Sequence, residues 1–274
     1  MAHDFAYRNY SHTQGKVKNG GGDRSPRDQG RRTLSRNFLV DPAAVDLVMA
    51  VADPGGLVLE PEAGDGSITR ALARRGASVT AYEIDPLSAA KLTARNRSDS
   101  GVRVVRADVT KTRAPREPFA VVGNISFSVT AKIVDWCLAA PTLTSATLLT
   151  QLDYARWHSG DHGRWSPVTV ANWPWFDWEL CGQVGRESFR PVPSVDSAVL
   201  RIRRRPEPLV RELDSYVELV ETGFSGMGGS VRASLRTCYD GVDAALAVAG
   251  IDRDTVVDHV HPDQWVQVHK RLIS

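Results

Sequence analysis

The chain has 274 residues, 42% of them apolar and 24% charged, with a formal net charge of +2, a balance that permits a substantial core in one large domain or two moderate ones. It contains no run of about 18 apolar residues to span a membrane, and its N-terminus, Met1 to Arg8, lacks the apolar core of a secretory signal, so a cytoplasmic location is expected. Three widely spaced cysteines, Cys137, Cys181 and Cys238, support neither a disulfide framework nor a CxxC metal site and read as buried thiols in a reducing compartment.

In chain order, residues 1–33 contain no Leu or Ile and carry seven Lys or Arg against three Asp. Such a stretch cannot bury enough apolar area to offset the entropy of ordering, and it reads as a disordered basic arm. From Leu34 onwards strand-like runs alternate with helical ones. The strands are Leu57–Leu59, Ser78–Tyr82, Val102–Val105, Phe119–Gly123 and Ala146–Leu152; the helices are Ile68–Arg75, Pro86–Arg95 and Thr130–Ala139. That alternation predicts an α/β fold with a doubly wound, mainly parallel sheet, whose ligands lie outside the carboxyl ends of the strands.

After Leu152 a loop-rich stretch holding Trp157, Trp165, Trp173, Trp175 and Trp178 leads to two late strands, Trp178–Val184 and Ala198–Arg203. Pro206-Glu207-Pro208 then breaks the chain. Leu213, Val217, Val220 and Phe224 fall on one helical face, and Val231, Leu235 and Cys238 on another. The predicted division is the arm over 1–33, an α/β domain over 34–206 and a small all-helical domain over 207–274. Arg232 and Arg236 form a basic ridge on the second of these helices, and residues 186–211 carry seven Arg against three acids. Clustered charge of this kind marks either a polyanion partner such as nucleic acid or a solvated face.

Glu60-Pro61-Glu62-Ala63-Gly64-Asp65-Gly66 follows the first strand of the sheet and opens a helix. Glycines let backbone approach a ligand, and the free amides of a helix start offer donors to it. Glu83 ends the next strand, about 20 residues on, where the ribose hydroxyls of a bound nucleoside would lie. Asp108 follows the third strand, placed to accept from an adenine amine. Negative charge at Glu60, Glu62 and Asp65 would repel a pyrophosphate and suits a cationic nucleoside such as S-adenosyl-L-methionine; a plainer reading has these acids capping the helix.

Asn124-Ile125-Ser126-Phe127 ends the fourth strand. Adenine N6 is a poor nucleophile because its lone pair is delocalised into the ring. An Asn124 oxygen and a backbone carbonyl that both accept from the amine would free that lone pair, through orientation and electrostatics rather than a strong base. Phe127 would stack on the base, which must be unpaired or flipped out to enter such a pocket. In isolation the tetrad also fits an Asn turn followed by a core Phe.

Together these residues closely resemble the ribosomal RNA adenine-N6 methyltransferases, and among them the Erm type that modifies 23S rRNA and confers macrolide, lincosamide and streptogramin B resistance. The resemblance spans roughly 34–274 and carries several motifs. Leu34-Ser-Arg-Asn37-Phe-Leu39 is similar to the family's Ser-Gln-Asn-Phe-Leu opening, Glu83-Ile-Asp85 to its ribose-binding strand end, and Asn124-Ile-Ser-Phe127 to its Asn-Ile-Pro-Phe/Tyr turn. Phe189-Arg-Pro191-Val-Pro193-Ser-Val195-Asp-Ser197 matches the Phe-x-Pro-x-Pro-x-Val-x-Ser signature. The resemblance implies a Rossmann-like class I methyltransferase sheet with a small C-terminal helical domain. It implies that S-adenosyl-L-methionine is held by Asn37, Leu39, Glu62, Gly64, Glu83, Asp108 and Asn124. Catalysis falls to Asn124, Ser126 and Phe127, with Phe127, Phe189, Arg232 and Arg236 on the RNA.

The implied partner is 23S rRNA, protein-free or before assembly, acted on by a monomer. A housekeeping small-subunit rRNA dimethyladenosine transferase shares the fold and chemistry, and a non-catalytic rRNA-binding factor is a third possibility. Three positions depart from the family pattern: Arg36 replaces Gln, Glu62 the first glycine of Gly-x-Gly-x-Gly, and Ser126 the proline of the catalytic turn. Serine lacks the ring that restrains φ, so a looser turn and a bias towards monomethyladenine are expected.

Overall fold

The structure, a computed structural model, describes residues 37–52, 55–226 and 229–273. The basic arm and Leu34, Ser35 and Arg36 of the opening motif lie outside the described residues. The first elements are β1 (Phe38–Leu39) and α1 (Pro42–Ala52), followed by β2 (Leu57–Glu60), α2 (Ser67–Arg74), β3 (Ser78–Tyr82), α3 (Pro86–Arg95) and β4 (Val102–Val105). Next come β5 (Phe119–Asn124), α4 (Thr130–Ala139), β6 (Leu143–Gln151), α5 (Leu152–Ser159), α6 (Pro167–Asn172), β7 (Phe176–Val184), β8 (Phe189–Arg190) and β9 (Ser197–Arg204). Four helices complete the chain: α7 (Leu213–Ser225), α8 (Val231–Leu235), α9 (Val242–Val248) and α10 (Pro262–Ile273). None of the described helices is long and apolar enough to cross a membrane.

The chain divides into two compact units, one reaching Leu152 and adding Cys181–Arg201, the other comprising Asp153–Leu180 and Ile202–Ser274. The division therefore falls within β7 and β9. The main sheet has strand order β4-β3-β2-β5-β6-β9-β7, and the β2–β3, β2–β5, β3–β4 and β5–β6 pairs are parallel. Val79, Ala81, Val121, Val122, Ala146 and Leu148 are buried, as a parallel sheet covered on both faces requires. Each Val or Leu so buried contributes about 1.5–3 kcal/mol. The chain steps from β2 to β3 and β4 on one side of the sheet and from β5 to β6 on the other, so the carboxyl ends of the parallel neighbours β2 and β5, Glu60 and Asn124, flank the switch-point crevice. The residues after β3 start α3 sharply: the Asp85 carboxylate accepts from Ser88 N–H at 2.7 Å, with Pro86 in the first turn.

A second, two-stranded sheet joins β1 antiparallel to β8, with Phe38 opposite Arg190 and Leu39 opposite Phe189. It is extended by Val40 N–H donating to the Ser188 carbonyl and by the Ser188 hydroxyl donating to Asp41 Oδ2.

In the other unit the tryptophan-bearing stretch is more regular than its sequence predicts. It forms α5 and α6 in place of a loop. The Ser166 hydroxyl caps α6, accepting from Thr169 N–H at 3.0 Å, and Pro167 presets the first turn. Buried His158, Ser166 and Thr169 satisfy one another's polar atoms. Packing among α7 and α10 is close: a Cβ on Gly223 would lie 2.2 Å from the Trp265 ring. The cysteine expectation holds only for Cys137, whose thiol burial pushes well above its usual range. Cys181 is half-buried, and Cys238 is exposed because α8 stops at Leu235, short of it.

Candidate active site

A cavity of about 300 Å³ opens at the switch point, within the range of ligand sites. Four chain segments build it. The turn after β2 supplies Glu60, Glu62, Gly64 and Asp65; the end of β5 supplies Asn124 to Ser128; the β1–β8 ribbon supplies Asn37 to Leu39 and Phe189. Ten of the residues singled out from sequence can be placed in this unit. Asn37, Leu39, Glu62, Gly64, Asn124, Ser126, Phe127 and Phe189 line the cavity together; Glu83 and Asp108 lie behind or beside it.

The turn is shaped by its glycines. Gly64 has φ 57, which glycine adopts at no steric cost, and a Cβ there would come within 3.2 Å of the Phe38 ring, so a side chain would push the ribbon back from the turn. Glu62 has φ 52, the one positive φ among the described residues other than glycine. That conformation costs an L residue about 1–2 kcal/mol.

Glu83 is fully buried. Its carboxylate accepts from Gly64 N–H at 2.9 Å and Asp85 N–H at 2.7 Å, which ties the turn after β2 to the end of β3. Asp108 accepts from the N–H and the hydroxyl of Thr110, and it lines a small neighbouring cleft with Pro61, Glu62, Ile84 and Lys132.

At the end of β5 the Asn124 amide is oriented by its nitrogen, which donates to the Asn37 carbonyl at 2.8 Å. A carbonyl only accepts, so the amide nitrogen is committed there and Oδ1 is the atom left to act as acceptor. Ser126 is tied across the cavity. Glu62 Oε2 accepts its N–H at 2.7 Å, and Oε1 accepts its hydroxyl at 3.0 Å. The Ser126 carbonyl accepts from Val129 N–H at 3.1 Å.

Glu60 is buried, and its carboxylate accepts from the Thr69 hydroxyl at 2.5 Å. Burial pushes its carboxyl up from 4.5 to about 8, with the Thr69 hydrogen bonds opposing. The fold thus holds Glu60 neutral. Its contribution to stability is complete below pH 4.5 and is lost as pH rises towards about 8. Glu60→Gln is expected to flatten the decline of chemical-denaturation midpoint between those values; an unchanged pH profile would show that Glu60 does not titrate there.

Sequence reasoning did not single out Phe38, Ile68, Ser128, Pro193, Ser194 or Ser197, all of which line the cavity. Pro193 and Ser197 lie within the quoted Phe189–Ser197 signature, a signal available in the chain. In the other unit, the Arg232 guanidinium is forked onto Asp243, at 2.5 and 3.0 Å, whereas Arg236 is exposed. Arg203 pairs with Asp177 at 3.2 Å, and Arg204 lies over the Phe176 ring.

Known proteins are similar to this chain over nearly its whole length. A family model described as ribosomal RNA adenine dimethylase matches residues 27–274. An rRNA adenine N-6-methyltransferase of Aeromicrobium erythreum is 46% identical over 258 residues, 92% of this chain and 76% of the relative. Mycinamicin-resistance protein MyrB of Micromonospora griseorubida is 35% identical over 252 residues, 90% of this chain and 80% of the relative. The crystal structure of 23S rRNA methyltransferase ErmE is similar with a TM-score of 0.83 at 45% identity, covering 87% of this chain and 100% of that one.

Proposed function

The chain belongs to the ribosomal RNA adenine dimethylase family and is an rRNA adenine N6-methyltransferase, and we propose that its substrate is an unpaired adenine of 23S rRNA, methylated from S-adenosyl-L-methionine. On this reading it acts as a cytoplasmic monomer on RNA before assembly, and the modification protects the ribosome from macrolide, lincosamide and streptogramin B antibiotics. The observation that carries the proposal is the Asn124 amide, fixed by Asn37 at the end of β5 beside an acidic glycine turn.

The residues present fit the cofactor. Glu62 and Asp65 line a cavity whose negative charge suits a sulfonium and an ammonium and opposes phosphate, while Glu60, held neutral, adds none, and Gly64 brings backbone close. When bound, S-adenosyl-L-methionine supplies an electrophilic methyl group on a sulfonium leaving group. Gly64, Asn37, Leu39 and Asn124 would hold it from the cavity side, Asp108 from the adjoining cleft, and Glu83, buried behind the turn, by fixing Gly64.

Asn124 Oδ1 accepts one N6 hydrogen. The Ser126 carbonyl already accepts from both Val129 N–H and the Thr130 hydroxyl, which uses its two lone pairs, so we assign the second hydrogen to the Ile125 carbonyl. Two acceptors draw the amine towards tetrahedral geometry and localise its lone pair. The proton released on methylation passes from N6 to solvent by way of these oxygens, so no side chain has to change charge. Phe127 stacks on the target base, and Phe189 walls the pocket.

Methylation of protein-free 23S rRNA, with the modified nucleotide mapped by primer extension and mass spectrometry, tests the proposal. One modified adenine in 23S rRNA is expected; methylation of assembled small subunits alone would overturn it.

For RNA binding we propose the helices over 207–274 and the arm over 1–33, with Arg236 on a phosphate. Arg236→Ala is expected to reduce the slope of log affinity against log salt by about 1, uniformly across RNA sequences. Arg232→Ala should change it less, because Asp243 already neutralises that guanidinium. Equal slopes for both variants and the native protein would exclude this surface.

A further inference from the structure

Two of the three departures from the family pattern bond to each other. Glu62 occupies the position of the first glycine, Ser126 that of the proline, and they are joined by the two hydrogen bonds at 2.7 and 3.0 Å. Both donors belong to serine. Proline at 126 has no N–H and no hydroxyl, and glycine at 62 has no acceptor, so either family residue alone removes both bonds at once. Glu62 makes them from a left-handed backbone, φ 52, and strain of this kind persists where the surroundings over-determine it and clusters at functional sites.

We propose that Glu62 is a positioning residue that takes over the constraint of the missing proline ring, clamping Ser126 so that Asn124 and Phe127 on either side keep their places. The turn is then held from two directions: Asn124 by the Asn37 carbonyl, Ser126 by the Glu62 carboxylate. Glu62 also lines both the main cavity and the cleft beside Asp108, so the clamp joins the turn after β2 to the end of β5 at the switch point. The proposal rests on the roles assigned above to Asn124 and Phe127. It differs from a purely electrostatic role for Glu62, in which the carboxylate only attracts a cation.

The test is a double-mutant cycle on the full chain, read as kcat and KM for 23S rRNA and as cofactor affinity by calorimetry. Glu62→Gly and Ser126→Pro are each expected to lower kcat about tenfold with little change in KM, and the double variant to recover to within about threefold of native. Glu62→Gln is the conservative rescue. Its oxygen accepts the N–H and its amide donates to the hydroxyl, so kcat should stay within about threefold of native although the charge is gone.

Should Ser126→Pro fail to fold, Ser126→Ala, which keeps the N–H bond alone, is expected to lose about threefold in kcat in native protein and nothing further in the Glu62→Gly background. Additive losses in either cycle, or a Glu62→Gln variant as slow as Glu62→Gly with weakened cofactor binding, would overturn the clamp. Either outcome leaves native activity on 23S rRNA intact; absence of that activity would instead overturn the proposed function.

Discussion

Asn124→Ala is expected to lower kcat by about 10²- to 10³-fold, the usual cost of deleting one preorganised polar group aimed at a reacting centre. RNA affinity should change little, because the lost contact to the base counts most when N6 develops positive charge. Asn124→Asp is informative in a different way. It restores an acceptor oxygen but replaces the nitrogen that donates to the Asn37 carbonyl at 2.8 Å, so carboxylate and carbonyl repel and the side chain turns away. Its rate should fall with that of alanine, not with that of native. Single-turnover methylation of 23S rRNA measures both, and an alanine variant within tenfold of native would remove Asn124 from the chemistry.

Trp265→Ala should cost about 3–5 kcal/mol of stability, as for other large aromatic side chains deleted from a core. Trp265 on α10 is fully buried, stacks on Phe224 with centroids 5.9 Å apart, and fills the space that Gly223 leaves open on α7. Trp265→Phe should cost much less. The indole N–H is buried with no hydrogen-bond partner among the described residues, so phenylalanine sheds an unsatisfied donor while keeping most of the ring contacts. Urea denaturation followed by circular dichroism separates the two, and equal losses would mean that the N–H is satisfied after all.

Much of the α/β fold was legible because its strands announce themselves. Runs such as Phe119-Ala-Val-Val are apolar on both faces, and helices such as α3 carry local start signals in Asp85 and Pro86. Strand ends were read to within a few residues, and the polar groups at three of them, Glu60, Glu83 and Asn124, stand at the ends of β2, β3 and β5. The stretch with five tryptophans reads as a loop because large aromatics interrupt helical periodicity, although the start signal of α6, Ser166-Pro167, stands in the sequence. The β1–β8 ribbon left no pattern at all. Two residues per strand carry no period, and their pairing joins segments about 150 positions apart.

What the sequence by itself determined is which side chains stand at the ends of the strands, since turn residues and the alternation of strand with helix are properties of neighbours along the chain. The tertiary structure alone decided whom they face. Glu83 turns to Gly64, Asn124 to Asn37, and Glu62 to Ser126. Those partners lie 19, 87 and 64 residues apart. They meet because β5 sits next to β2 rather than β4, and because a glycine turn and a two-residue ribbon close over the crevice between them. Strand order is set by the burial of whole faces, a sum over many weak contacts that no local spacing records.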